Sequence, residues 1–210
     1  MAKSLWKIQS SFYHLLRRNP LSAFILQREN EGIRYLLKEL NPKSVLDIGC
    51  GRGNSLVLLL NFTVSLTAVD HVSGMVHKSK MRYPVIKFIA ADAQFLPFRE
   101  SSFDLISCIG LFEYVENWPS LLREIHRILS PDGYAIITLS PPSLLSYWRL
   151  FLGHWLYTGT EEDFRKVLNT SAPFSILQHN RTLLQHQFLL KKGKVIPAIG
   201  KLQTNMRYIR

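Results

Sequence analysis

The sequence predicts an α/β domain of Rossmann-like type, built on a mostly parallel sheet with helices on both faces. Short apolar segments alternate with amphipathic helical segments between residues 33 and 139, a spacing typical of β-α-β units. The chain has 210 residues, of which 47% are hydrophobic and 20% charged. This size and composition suit one globular unit and exclude a collagen-like, low-complexity or wholly disordered chain.

Two helices are predicted before the first strand. Apolar residues recur at helical spacing over residues 4–16, and Ile33, Leu36, Leu37 and Leu40 form a clearer stripe. Asn41-Pro42 ends the second helix, because a residue that precedes proline avoids the helical conformation.

Five strands are predicted in the central part of the chain. Each is a short apolar run that leads into a polar or glycine-containing segment, as in strands buried on both faces. They cover residues 44–48, 64–70, 85–90, 103–108 and 134–139. Helices are predicted over residues 54–60 and 118–129, the second with an almost unbroken apolar stripe. Residues 130–133, Ser-Pro-Asp-Gly, have the composition of a turn.

The C-terminal third has a different pattern. Residues 144–157 are crowded with Leu, Tyr, Trp and Phe, and residues 160–163 resemble a capping box that opens a short helix. Residues 174–178 and 186–190 predict an antiparallel pair joined by a polar turn around Asn180-Arg181.

We therefore expect a doubly wound, seven-stranded sheet, mostly parallel with an antiparallel C-terminal strand and an N-terminal helical extension. It is expected to form one domain over residues 1–210. Residues 1–43 form a helical cap, residues 44–140 a ligand-binding core, and residues 141–210 a substrate-side helix with the terminal strands.

Charge is concentrated at the two ends of the chain. The net charge of +11 divides into +5 over residues 1–43, −1 over residues 44–140 and +7 over residues 141–210. Basic ends suit an anionic partner such as a lipid headgroup, a nucleic acid or an acidic metabolite. A solvated surface that keeps the protein soluble explains the same charge equally well.

The sequence predicts a cytoplasmic protein. No apolar run approaches the roughly 18 residues of a membrane span, and no secretory signal is recognisable. Cys50 and Cys108 are too few for a disulfide framework and lack metal-ligand spacing, so we expect free thiols and no metal site.

The most informative segment is the glycine-rich run Asp47-Ile48-Gly49-Cys50-Gly51-Arg52-Gly53, which follows the first predicted strand. Glycine is needed where a backbone turns sharply or lies against a ligand. Asp70 ends the second strand 17 residues after Gly53, where an acid can accept both hydroxyls of a ribose. Asp92 follows the third strand, where its carboxylate and a neighbouring amide can read an adenine edge. These residues predict a nucleotide-binding crevice at one sheet edge.

Five ordered motifs in residues 44–140 resemble those of the class I S-adenosylmethionine-dependent methyltransferases. They lie at residues 45–53, 69–70, 92–98, 102–106 and 122–133. Within that family the sequence is most similar to the small-molecule branch that includes the quinone-biosynthesis methyltransferases. An NAD-binding Rossmann enzyme has no reason to carry the segments at 92–98 and 122–133.

The resemblance implies a role for each residue of the crevice. The loop with Gly49, Gly51 and Gly53 would pass beneath the amino acid part of the cofactor. Asp47 would bind the ammonium, directly or through water, Asp70 the ribose hydroxyls and Asp92 the adenine amino group. The Ala93 and Gln94 backbone would lie beside the adenine ring. The Cys108 and Ile109 carbonyls would accept from the ammonium.

Some of these residues have alternative interpretations. Asp47 or Asp92 alone would also serve as a helix cap, and Cys50 is a small residue suited to packing in that loop. His71 either faces the adenosine or lies in solvent. Family members usually carry serine two residues after the ribose acid, but this chain has Val72 there and Ser73 one later, so the cap of the next helix is expected to shift.

The acceptor side is less well defined. Glu113 is the candidate for a polar contact and Tyr114 for shaping the pocket, although Glu113 would also cap the following helix. The aromatic residues of 144–157 would roof an apolar pocket or, with the basic N-terminal helix, rest on an anionic membrane; ordinary core packing explains them equally well. The predicted acceptor is therefore an aromatic or lipid-like small molecule.

Two other functions stay open from the sequence. The net charge and the basic tail at 191–210 suit an RNA or DNA methyltransferase. Base-amino methylating enzymes, however, typically carry Asn/Asp-Pro-Pro-aromatic after the fourth strand, where this chain reads Ser107-Cys108-Ile109-Gly110. A non-catalytic cofactor-binding subunit is the other alternative, and the intact glycines and acids disfavour it. The oligomeric state is not predicted.

Overall fold

The computed structural model describes residues 20–63, 65–142 and 156–193. The strands of its single sheet are β1 (Ser44–Ile48), β2 (Ser65–Asp70), β3 (Lys87–Ala90), β4 (Phe103–Cys108), β5 (Leu129–Leu139), β6 (Phe174–Arg181) and β7 (His186–Lys192). The helices are α1 (Pro20–Leu37), α2 (Leu56–Leu59), α3 (Ser73–Arg82), α4 (Trp118–Ile128) and α5 (Glu161–Ser171), with a 3₁₀ turn at Phe112–Tyr114.

The seven strands lie in the order β3-β2-β1-β4-β5-β7-β6. Strands β1 to β5 pair in parallel, and β7 runs antiparallel between β5 and β6. The chain first builds outward from β1 to β3 and then returns to place β4 on the other side of β1. The carboxyl ends of β1 and β4 therefore form a topological switch point, where open α/β sheets bind ligands. The predicted Rossmann-like fold with an antiparallel C-terminal strand is confirmed.

Both faces of the sheet are covered by apolar side chains. On one face the stripe of α4 is fully buried and packs with the rings of Phe112, Phe164 and Phe188. On the other face α1 contributes Ile33 and Leu36 to a second core beneath β1 and β4. Each large buried side chain contributes about 1.5–3 kcal/mol of hydrophobic stabilisation. The sheet edge is thus held as a rigid platform.

The caps of two helices agree with their sequence signals. At the start of α4 the Asn117 side chain accepts a hydrogen bond from the Ser120 N–H at 2.9 Å. At the start of α5 the predicted capping box is present, because Thr160 Oγ1 accepts the Asp163 N–H at 3.1 Å and Asp163 Oδ2 accepts the Thr160 N–H at 3.0 Å.

Two predicted turns were wrong. Residues 130–133 lie within β5, where the register with β4 shifts and Asp132 has a φ of 60°; the turn-forming residues make an irregularity inside the strand instead of ending it. Asn180 and Arg181 pair with β7, and the reversal comes after them, where the Thr182 N–H donates to the Gln185 carbonyl at 2.9 Å.

Two predicted elements are shorter than expected. The helix predicted over residues 54–60 is reduced to α2, four residues long, and the strand predicted over 85–90 begins at Lys87. The predicted helix at 4–16, most of the aromatic segment at 144–157 and most of the tail at 191–210 lie outside the described residues. Within the described ranges, no helix is both long and apolar enough to span a bilayer.

Candidate functional site

The glycine-rich loop after β1 is fastened to β2 by its own backbone. The N–H groups of Gly49 and Cys50 both donate to the Val69 carbonyl, at 2.8 and 3.0 Å. Gly49, Gly51 and Gly53 all have positive φ values, of 78°, 51° and 80°, a region that side-chain-bearing residues rarely adopt. The loop is therefore held in one conformation that requires glycine.

The three glycines face different surroundings. A Cβ added to Gly49 would lie 2.8 Å from Leu111 Cδ1, and one added to Gly53 would lie 2.7 Å from the Tyr83 ring. A Cβ on Gly51 would meet no atom within 4 Å. Gly49 and Gly53 thus permit packing within the protein, whereas Gly51 faces open space in which a ligand can approach the backbone.

Asp70, the last residue of β2, has a side chain only 10% exposed and bonded to the loops on either side. Its Oδ2 accepts the N–H of Gly51 at 2.8 Å, and its Oδ1 accepts the N–H of Val72 at 2.9 Å. Sequence reasoning missed this structural role. The expected shift of the helix cap was wrong, because Val72 is itself the N-cap of α3 and has no side-chain cap; its N–H is held by Asp70 instead.

Asp47 is a buried carboxyl group, 1% exposed, on β1 beneath the glycine loop. The Ser55 hydroxyl donates to its Oδ2 at 2.6 Å. Burial raises the pKa of Asp47 to about 6, with smaller opposing effects from the Ser55 and Ser107 hydroxyls and a further increase from the charge of Asp70. A negative charge at Asp47 is thus poorly compensated by the chain itself, and a bound cation would stabilise it.

Replacement of Asp47 by Asn is expected to stabilise the ligand-free protein. Since the folded pKa of about 6 exceeds the unfolded value near 3.8, the native state holds the proton more tightly, and wild-type stability falls as pH rises from about 4 to 6. The neutral amide avoids this loss, so urea unfolding at pH 7.5 should show a gain of up to about 3 kcal/mol. An equal pH dependence in both proteins would contradict this assignment.

The loop after β3 lies against Asp70. The Ala91 N–H donates to the Asp70 carbonyl at 3.1 Å, and Asp92, which is exposed, accepts the Gln94 N–H on Oδ1 at 2.8 Å. Ala93 and Gln94 are half-buried beside it. Asp92 therefore organises its own loop and still presents carboxylate to solvent. The His71 side chain is 73% exposed, with Nδ1 3.6 Å from Asp70 Oδ1.

The backbone that follows β4 opens onto the same edge of the sheet. Cys108 is buried, Ile109 is half-buried, and Gly110 has a φ of 68° with its N–H donated to Thr138 Oγ1 at 2.8 Å. A Cβ on Gly110 would also meet nothing within 4 Å. Burial raises the pKa of both the Cys50 and Cys108 thiols, so they are neutral packing groups.

Glu113 lies in the 3₁₀ turn beyond Gly110 and is only 4% exposed. Its Oε1 accepts a hydrogen bond from the Ser140 hydroxyl at 3.0 Å, and its carbonyl accepts the Tyr157 N–H at 2.7 Å. Glu113 thus connects the segment after β4 to the segments after β5 and before α5. The neighbouring Tyr114 is half-buried.

A cavity of about 550 Å³ opens at the opposite edge of the sheet. It lies at the amino ends of β4 and β5, and its lining mixes Arg123, Arg127 and Lys192 with Glu100 and Asp132. The glycine loop and the acids of the predicted crevice are not part of it. The candidate site is instead the carboxyl edge, where the backbone at Gly51 and Gly110 faces open space and Asp70 is bonded to Gly51.

The fold and the site define a doubly wound α/β domain with a candidate ligand crevice at the β1–β4 switch point. Comparisons with known proteins identify the family to which this domain belongs. The family model described as a methyltransferase domain matches residues 46–137. Demethylmenaquinone methyltransferase of Thermotoga maritima is 31% identical over 184 residues, which cover 79% of this chain and 80% of that protein. The chain belongs to the S-adenosylmethionine-dependent methyltransferases.

Other relatives match over a smaller part of their length. The biotin biosynthesis bifunctional protein BioHC of Cellvibrio japonicus is 32% identical over 117 residues, which cover 55% of this chain and 23% of the relative.

Among solved structures, the N-methyltransferase NodS of Bradyrhizobium japonicum WM9, in complex with S-adenosylhomocysteine, superposes with a TM-score of 0.68. The two sequences are 18% identical, and the superposed region covers 85% of this chain and 91% of NodS. This similarity shows a common fold.

The residues at the crevice fit the cofactor S-adenosylmethionine. Space above Gly51 and Gly110 is open, and a poorly compensated carboxyl at Asp47 suits a cationic ligand. A carboxylate has about four lone-pair positions. Asp70 uses one on each oxygen for backbone N–H groups, so it keeps acceptor capacity for ligand hydroxyls.

Proposed function

We propose that this enzyme transfers the methyl group of S-adenosylmethionine to a small, aromatic or lipid-like acceptor. The observation that carries the proposal is the relationship to the demethylmenaquinone methyltransferase, which extends over about four fifths of both chains. Further support comes from Glu113, a buried acid in the 3₁₀ turn that follows the open backbone at Gly110.

The cofactor contacts in this proposal come from the ends of four strands. Asp70 accepts the ribose hydroxyls, Asp92 the adenine amino group, and Asp47 the ammonium, directly or through water. The backbone of the glycine-rich loop lies beneath the amino acid part of the cofactor, through Gly49, Cys50, Gly51 and Gly53. The Ala93 and Gln94 backbone lies beside the adenine. The Cys108 and Ile109 carbonyls are directed toward the ammonium. His71 flanks the adenosine from the solvent side.

The chain acts mainly by positioning. When bound, S-adenosylmethionine supplies a methyl group on a positively charged sulfur, which is already an activated leaving group. The rigid loop held by Asp70 and the fixed backbone after β4 restrict the relative orientation of the two ligands. Orientation of this kind contributes about 7–11 kcal/mol in well-aligned systems, so a general base is not required for an acidic acceptor.

Glu113 is proposed to make a polar contact with the acceptor, and Tyr114 to shape its pocket. Glu113→Gln keeps the shape and an oxygen for the Ser140 hydroxyl but removes the charge. We expect kcat/KM for the acceptor to fall by about 10- to 100-fold, the value of a hydrogen bond to a charged group, with unchanged affinity for S-adenosylmethionine. The matched control is Glu116→Gln, an exposed acid whose Oε2 lies 3.4 Å from Tyr157 Oη. Equal effects of the two variants would rule out this role.

The acceptor class is tested by methyl incorporation from labelled S-adenosylmethionine. The acceptors are reduced demethylmenaquinone in neutral vesicles, the same quinol in anionic vesicles, and total RNA. Methylation of the quinol is the expected result, and faster transfer in anionic vesicles would support the proposed peripheral membrane contact. Methylation of RNA with none of the quinol would replace the proposal with the nucleic-acid alternative, which the charge of +11 favours.

A further inference from the structure

Away from the proposed cofactor contacts, one carboxylate and two imidazoles converge where α5 meets the β6–β7 hairpin. Glu161 opens α5, His179 lies on β6, and His186 opens β7. One donor atom from each of the three side chains lies within 4.8 Å of the other two. His186 pairs with Leu139, the last residue of β5, so the cluster lies at the carboxyl edge of the sheet.

We propose that Glu161, His179 and His186 form a binding site for a divalent transition metal ion of the zinc class. His179 Nε2 lies 3.0 Å from His186 Nδ1, and His186 Nδ1 lies 3.3 Å from Glu161 Oε2. Ligand atoms bound to one zinc ion at about 2.0–2.1 Å are separated by similar distances in a tetrahedral site. Two imidazoles with one carboxylate are donors that suit zinc, nickel or iron, and they leave a position for water.

The surroundings hold these donors in place. Arg165 binds Glu161 Oε1 through Nε at 2.8 Å and Nη2 at 2.7 Å, which leaves Oε2 directed to His186. The His179 ring stacks on Phe188 with a centroid distance of 4.4 Å and on His186 with a distance of 5.2 Å. His186 is buried. Glu161 is half-buried and His179 is exposed, so the ring contacts and the Arg165 ion pair hold the cluster at the protein surface.

The protonation chemistry is consistent with metal binding. Without a metal, the two imidazoles share the hydrogen bond between His179 Nε2 and His186 Nδ1. For a metal to bind, the proton of this bond must move to the outer nitrogen of the ring that carries it, so that His179 Nε2 and His186 Nδ1 are both free as ligands. The outer nitrogen of His179, Nδ1, lies 3.4 Å from Glu161 Oε1.

The consequence of this site is a crosslink between distant parts of the chain. An ion bound there would join α5 to both strands of the terminal hairpin, and binding that occurs only in the folded state stabilises it. The inference goes beyond methyl transfer and does not depend on it. It also departs from the sequence-based expectation of no metal site, which considered only cysteines and their spacing.

The test uses the full chain after chelator treatment, titrated with zinc chloride by calorimetry and with cobalt chloride by visible absorption. We expect one equivalent of zinc, tetrahedral cobalt bands, and a midpoint of thermal unfolding raised by roughly 5 to 10 °C at about 100 times Kd. Absence of zinc binding would overturn the proposal and leave the cluster as a hydrogen-bonded network.

Two variants and a control locate the site. His179→Gln and Glu161→Gln are each expected to weaken zinc binding by at least the roughly 10- to 100-fold associated with loss of an outer-shell partner. His77→Gln, an exposed histidine on α3, should bind zinc as the wild type does. The quantity compared is the metal-induced shift of the midpoint, so a change in basal stability does not affect it. Wild-type affinity in both cluster variants would refute the assignment.

Discussion

Replacement of Asp70 by Asn is expected to weaken binding of S-adenosylmethionine by about 30- to 1,000-fold. The carboxylate is proposed to accept both ribose hydroxyls, and a hydrogen bond to a charged group contributes about 1.5–3 kcal/mol. The amide can accept on only one of its two positions, and its NH₂ group opposes the N–H of either Gly51 or Val72. The Asn side chain therefore offers fewer acceptor positions both to the backbone N–H groups of the loop and to the ligand hydroxyls. Isothermal calorimetry with S-adenosylhomocysteine measures the effect.

The matched control for this variant is Asp132→Asn. Asp132 is an exposed acid at the opposite edge of the sheet, 3.0 Å from Lys191 Nζ, and its positive φ is one that asparagine tolerates. It should leave cofactor affinity unchanged. If Asp70→Asn bound the cofactor as tightly as Asp132→Asn, Asp70 would be a structural acid of the loop and not a ligand.

The second large effect is expected at Gly51. A Cβ there meets nothing within 4 Å in the ligand-free chain, so the folding cost of Gly51→Ala is mainly the positive φ of 51°, about 1–2 kcal/mol. If the cofactor lies against this backbone, the added methyl group occupies its space, and affinity should fall by about 100-fold or more, since a close misfit readily costs several kcal/mol. Urea unfolding and calorimetry on the same variant separate the two effects.

Gly53→Ala is the contrasting variant. Its Cβ would lie 2.7 Å from the Tyr83 ring and 3.0 Å from Leu56, so overpacking adds to the cost of a positive φ and its loss of stability should exceed that of Gly51→Ala. A Gly51→Ala protein that retains full affinity would show that the open space above the loop is not where the cofactor binds.

Much of the fold and of the crevice could be predicted from local patterns. Asp70 and Asp92 follow neighbouring apolar runs, and parallel strands bring their carboxyl ends to a common edge. The structure confirms the fold and places the Asp92 loop against Asp70 through the bond from Ala91. The cofactor roles of these residues stay predictions.

Contacts between distant segments could not be predicted in this way. The Ser140 bond to Glu113 and the Thr138 bond to Gly110 join residues that no local periodicity relates. The same is true of His179 and His186. His179 pairs with Phe188, so His186, two residues away on β7, is its diagonal neighbour. The residues at 130–133 have turn composition, yet they form an irregularity inside β5, between the pairs Phe103–Leu129 and Leu105–Tyr134.

Hydrogen exchange of the full chain with and without S-adenosylhomocysteine tests the central claim most directly. The account predicts ligand-dependent protection of backbone amides in residues 49–53, 70–72 and 108–110, at the carboxyl ends of β1, β2 and β4, and unchanged exchange around Arg123 and Lys192 at the opposite edge. Protection confined to that opposite edge, or no protection at a saturating ligand concentration, would contradict it.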